Sequence, residues 1–293
     1  MQSKSRDRSY PLWLSLPGLL IYTLFFIVPI VAVFAYSFTN WNLANMSRAN
    51  FVGLYNFTSL LQDRIFLRSI GNTLLFAFFT TLFKTLIGLL LALLVVKKFP
   101  GNSLFRTLYY LPCVLSTMIV GLLFTAILRQ DGLLNNLLAG LGLGGWSRDW
   151  LGSYGTAMTW IILVEIWMWA GFSMFIFISG LQAISQDYYE SAQLDGATGW
   201  QQFRHITLPL LAPSFTVVFT LNITGGLKVF DIVYSLTGGG PGFDTQVLST
   251  YVYRAFGMGQ LGKSSAAAIL LSLLVVTLTF LLNRFLKSRE VET

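Results

Sequence analysis

The sequence is short of charge and nearly devoid of the residues that most enzymatic chemistry needs. Asp, Glu, Lys and Arg together make up 11% of the 293 residues, where soluble domains have about 25%. With 55% of the chain apolar, that shortage excludes a soluble globular protein. Cys113 is the only cysteine, so an intrachain disulfide and a cysteine-based metal cluster are excluded. It follows Pro112 inside an apolar run and reads as a small packing residue. His205 is the only histidine, so there is no histidine triad, and no Ser–His–Asp set can be gathered within one bilayer leaflet. No catalytic residue, metal site or bound cofactor is expected. There is no internal repeat and no low-complexity tail. A net charge of +7 would suit nucleic acid, but membrane proteins collect Lys and Arg in their inside loops. No nucleic-acid partner is expected.

What is present is apolar length. Six runs are each able to cross a hydrocarbon core of about 30 Å: 12–38, 69–96, 107–128, 155–182, 212–236 and 264–285. The expectation is an all-α integral membrane protein whose residues 1–293 form one transmembrane domain. The first run is far longer than the roughly 7–15 residues of a signal-peptide core; it reads as an uncleaved helix with Pro17 and Pro29 inside. The third run is expected to kink at Pro112. Six crossings put both ends on one side. Lys4, Arg6 and Arg8, the short turn at Lys97 and Lys98, and the tail with Arg284, Lys287 and Arg289 mark that side as cytoplasmic.

The longest polar interval on that side, 184–211, reads as two short helices with a break. Ser185 is placed to cap the first, with Asp187 in its opening turn. Gly196 interrupts it. Thr198 and Gln201 have capping-box spacing for the second, which is expected to stop at Leu208, before Pro209. Ser191, Ala192, Gly196 and Ala197 are small enough for another surface to approach closely, with the acceptors Glu190 and Asp195 beside them. That is a docking knob; the plainer reading is a helical hairpin lying on the bilayer.

Charges inside the spans are costly, about 2.5–3.5 kcal/mol each on insertion scales. Lys228 and Asp231, spaced i, i+3, are expected on one helix face and able to pair. Glu165 lies at similar depth among Trp160, Trp167 and Trp169. Glu165, Trp167, Trp169, Lys228 and Asp231 are candidates for a polar path; the alternative is a structural ion pair between helices. Gly257–Ser264 fits the phosphate-loop pattern G-x-x-x-x-G-K-S, but that loop must follow a buried strand, and here it opens a membrane span. It reads as a loop whose helix is capped by Ser264 or Ser265.

The run Glu190-Ser191-Ala192, then Gly196, then Ile206-Thr207-Leu208-Pro209 resembles the signature of ABC importer membrane subunits, with Ser191 where the family usually has Ala. The segments FVGLYNF (51–57), SIGNTLLF (69–76), FRTLYYLP (105–112) and KVFDIVYSLTGGGPGFDT (228–245) are similar to its carbohydrate-uptake branch, which includes maltose-type and multiple-sugar permeases. The resemblance implies a type I importer permease fold with six transmembrane helices and cytoplasmic termini, in the cytoplasmic membrane. It makes 184–211 a coupling helix on a separate ATPase, through Glu190, Ser191, Ala192, Asp195, Gly196, Ala197, Ile206, Leu208 and Pro209. Implied partners are a second permease subunit, usually a different chain, an ATP-binding subunit dimer, an extracytoplasmic substrate-binding protein, membrane lipid and a sugar substrate. Lys84 then reads as a brace at the seam between permeases. Other cargo, glycerol phosphate or another polyol derivative, fits the same machinery. An ion-coupled secondary carrier would predict an inverted repeat, which the sequence lacks.

Overall fold

A computed structural model describes residues 12–45, 49–96 and 101–288. The basic residues expected at the N-terminus, at Lys97 and Lys98 and at Arg289 lie outside the described residues. The described chain is helical, with one isolated bridge between Thr39 and Phe51. In order the helices are α1 (Leu16–Ser37), α2 (Tyr55–Gln62), α3 (Arg64–Val96), α4 (Asn102–Val114), α5 (Thr117–Leu128), α6 (Leu133–Gly140), α7 (Ala157–Ala183), α8 (Gln186–Leu194), α9 (Gly199–Leu210), α10 (Ala212–Leu227), α11 (Asp231–Thr237), α12 (Leu248–Gly257) and α13 (Leu261–Lys287). Five helical segments are long and apolar enough to cross a bilayer, and the bent pair α9–α10 makes a sixth.

The centre is α3 against α7, with α10 as the third wall. Phe76, Ile161, Met168 and Ile232 are fully buried there, and Met174, Phe177 and Leu211 fill a second cluster toward the 184–211 loop. α4 lies directly on α7 at Gly171, where a Cβ would overlap the Tyr109 carbonyl. α1 packs on α13 and buries none of the residues in its apolar window. A helix apolar on every face belongs in lipid or against another membrane chain.

Proline shapes two helices through the same device. A π-helical turn covers Thr23–Ile27 before Pro29 and another covers Phe203–Thr207 before Pro209. Each closes with an amide bonding five residues back, Val28 to Thr23 and Leu208 to Phe203. The wider turn absorbs the missing proline N–H and the clash with the preceding carbonyl. The helix expected to stop at Leu208 therefore continues to Leu210, and the chain bends by 63° before α10.

Three further expectations are corrected. The third span is broken rather than kinked at Pro112: Pro112 sits in the last turn of α4, and Leu115 and Ser116 are extended. The fifth span is also broken, at Lys228, Val229 and Phe230 between α10 and α11, so Lys228 and Asp231 do not share a helix face. Ser264 and Ser265 do not cap α13, which starts at Leu261; both are buried within it, and Ser264 Oγ donates to the Val252 carbonyl at 2.9 Å. Lys263 is held instead by Asp63, 2.8 Å away.

The glycine-rich loop after α11 is tied to the starts of α3 and α7. The Asp244 carboxylate accepts from Arg68 and, at 2.8 Å, from the Gly155 amide. Asn72 Nδ2 donates to the carbonyls of Asp244 at 2.8 Å and Gln246 at 2.9 Å. These ties anchor the loop to α3 and to the segment before α7, while α11 itself packs on α5 and α7.

Candidate functional site

Two features converge on α10. The first is a cleft of about 310 Å³ walled by α3, α7, α10 and α11. Its lining includes Lys84, Glu165, Trp169, Phe172, Asn222, Lys228, Phe230 and Asp231. Four of the five path candidates, Glu165, Trp169, Lys228 and Asp231, thus meet around one space. Trp167 does not: it is displaced about half a helical turn from Glu165 and Trp169 and packs edge-on against Phe124 of α5, with ring centroids 5.3 Å apart.

Charge pairing in the cleft differs from the expected pattern. Glu165 Oε1 accepts from Lys84 Nζ at 3.2 Å, and both residues are buried. Lys84 therefore has its partner within this chain. Lys228 and Asp231 are exposed to the cleft and take part in none of the ion pairs among the described residues. The break at Lys228–Phe230 separates their side chains. Behind them Asn222 is buried and donates through Nδ2 to Ser173 Oγ at 3.1 Å and Thr85 Oγ1 at 3.3 Å. One amide so ties α10 to both α3 and α7. The sequence reading missed Asn222, Phe172 and Phe230; a lone amide in an apolar span was the available signal, since an unpaired one would be expensive there.

The second feature is the 184–211 knob. Ser185 Oγ accepts from the Asp187 amide, and Thr198 and Gln201 form a reciprocal capping box. Gly196 has φ +79°. Its amide donates to Gln193 O at 3.0 Å and the Ala197 amide to Ala192 O at 2.9 Å, which is a Schellman closure. Tyr189 and Thr207 hydroxyls, 3.0 Å apart, join the two arms. Ala192, Asp195, Gly196, Ala197, His205 and Ile206 surround a concavity of about 360 Å³. Glu190 and Ser191 are exposed on α8, while Leu208 and Pro209 are half-buried at the root. Leu194 at the tip is 90% exposed. His205 Nδ1 lies 3.0 Å from the Gln201 carbonyl, within its own helix.

Knob and cleft share one element. α9 carries the knob's second arm, turns at the fully buried Leu211 and continues as α10 to Asn222, Gly225 and Lys228. Residues 84–291, from the cleft lysine through both features, match the family described as binding-protein-dependent transport system inner membrane component. The chain belongs to that family. It is a multi-pass permease subunit of an ABC importer in the cytoplasmic membrane.

The permease is 35% identical over 284 residues to the probable ABC transporter permease protein YurN of Bacillus subtilis, covering 96% of this chain and 97% of that one. It is 33% identical to the trehalose/maltose transport system permease protein MalF of Thermococcus litoralis, covering 94% and 93%. Its fold superposes on a chain of a bacterial ABC transporter involved in import of the acidic polysaccharide alginate, with TM-score 0.82, 27% identity and coverage of 94% and 96%.

Proposed function

We propose that this permease forms half of the path for a sugar or oligosaccharide and couples it to ATP hydrolysis in separate cytoplasmic subunits. The observation that carries the reading is the continuity of the docking knob with the helix that lines the cleft. Movement of Glu190–Pro209 with the closing ATPase dimer turns about Leu211 and passes along α10 to Asn222 and Lys228. The knob faces the cytoplasm, as do both termini. A second permease closes the open side of the cleft, and a soluble binding protein delivers cargo from outside. Relatives named for starch degradation products, trehalose/maltose and arabinooligosaccharides support the cargo class. The lining has the chemistry for it: aromatic faces at Trp169, Phe172 and Phe230, and polar groups at Glu165, Lys228 and Asp231.

The test is Glu190→Lys in the assembled importer. Glu190 is exposed and has no role inside the bilayer. The variant is expected at normal membrane levels with ATP-driven uptake abolished. Normal uptake at normal levels would show that the knob does not dock.

A further inference from the structure

The cleft leaves one question of chemistry: why a lysine is buried behind the carboxylate that faces the path. Lys84 projects from the apolar middle of α3 and is 3% exposed. Its ammonium meets Glu165 Oε1 at 3.2 Å, while the Glu165 side chain keeps 10% of its accessibility. Of the pair, the Glu165 side chain is the more open, and both line the cleft. Among the described residues the hydrogen bond to this carboxylate is the one from Lys84, to Oε1. An ionised carboxylate is acceptor-only and has further lone pairs to satisfy. In this cleft that capacity is met by water when the path is empty and is open to exchange for a hydroxyl of the cargo.

We propose that Lys84 is a positioning residue, which fixes the Glu165 carboxylate so that its second oxygen accepts a hydroxyl of a neutral sugar in the path. The proposal rests on the sugar-importer reading above. Three features carry it. The pair joins α3 to α7, so the carboxylate is held from a second helix rather than only by its own rotamer. The charged groups lining the cleft are two cations, Lys84 and Lys228, and two anions, Glu165 and Asp231, so no net charge favours an ionic cargo. Trp169 stands one helical turn from Glu165 on the same face and lines the same cleft. A seam brace, by contrast, would not need to border a cleft.

The test uses the complete importer, with its ATPase and binding protein, in proteoliposomes. The probes are radiolabelled maltotriose, trehalose and arabinotriose. Lys84→Met alone strands the carboxylate and is expected to lower folded yield. Lys84→Met with Glu165→Gln removes both charges and should restore yield. Its maximal uptake rate should nevertheless stay about tenfold below wild type, the scale of a lost charge-assisted hydrogen bond. The loaded binding-protein concentration giving half-maximal rate should not change, because loading occurs before the path. Lys84→Arg keeps a cation, but its planar fork can engage both carboxylate oxygens, so folded yield should hold while the maximal rate falls. Glu165→Asp keeps both charges but withdraws the carboxylate by one methylene, and should lower the maximal rate as the double variant does. Wild-type uptake in the yield-restored double variant or in Glu165→Asp would reduce the pair to a brace and overturn the proposal. If the binding protein loads one of these sugars and the wild-type importer does not move it, the cargo reading itself is overturned, and this is recognised before any variant is made.

Discussion

Gly196 offers a sharp separation of backbone conformation from size in the 184–211 knob. Its φ of +79° is one that residues with a Cβ adopt at a cost of about 1–2 kcal/mol. A Cβ built there meets no atom within 4 Å, so packing adds nothing. Gly196→Ala also lowers the entropy of the unfolded chain, which returns about 0.4–1 kcal/mol. The net cost is about 1 kcal/mol, roughly a fivefold shift in local opening. Asn tolerates the left-handed region better than Ala, so Gly196→Asn should fall between glycine and alanine despite being larger. The assay is hydrogen exchange at the amides of Gly196 and Ala197, which close the first arm onto Gln193 and Ala192. Exchange should be about fivefold faster in Gly196→Ala and less accelerated in Gly196→Asn, with unchanged membrane levels. Uptake by the importer should fall in the same order, and Gly196→Asp, which adds bulk and charge to the face proposed to dock, should abolish it. If Gly196→Asn exchanges faster than Gly196→Ala, side-chain size rather than backbone handedness governs the turn, and the reasoning fails.

Gly171→Ala should force α4 off α7 at Tyr109; the neighbour is backbone and cannot yield, so a loss of about 3 kcal/mol is expected as a lower thermal midpoint in detergent. Lys263→Ala should leave nucleotide hydrolysis by the assembled importer intact, since Lys263 is committed to Asp63; specific loss of ATP binding would mean that the phosphate-loop match is real. The same cluster sets an acid limit. Burial acts to raise the Asp63 carboxyl, but hydrogen bonds from Lys263, Tyr251 and the Ile65 amide outweigh it and hold the group below its ordinary 3.8. Its stabilisation is therefore complete above that value and lost as pH falls through the lower folded value. The thermal midpoint should be flat in this contribution from pH 7 to 5 and decline only below about pH 4, a decline that Asp63→Asn should remove. Tyr251, pushed up to about 12 by burial and by its bond to Asp63, stays neutral throughout that range.

The knob was legible because its devices are local. A serine cap, a T-x-x-Q box and a glycine closing a helix each act within a few residues, so spacing along the chain is spacing in space. The number of apolar crossings was legible for a related reason: span length follows from bilayer thickness and helical rise. Even local rules had limits. Pro209 was expected to end a helix, and the π-helical turn at Phe203–Thr207 carried the helix past it. Tertiary structure decided the rest of the candidate site. Helical periodicity fixes which residues share a face of one helix, but not which faces of different helices meet. Lys84 and Glu165 are 81 residues apart, and Asp63 and Lys263 are 200; nothing in the intervening sequence names either partner. Lys228 and Asp231 read as a pair only where the helix between them is unbroken, and it is broken at Lys228–Phe230. The sequence held a hint in Gly225 and Gly226, which weaken a helix, but where it breaks depends on how α10 packs on α3 and α7 and α11 on α5. A buried charge takes the partner that packing brings within reach, and packing is a property of the assembled helices.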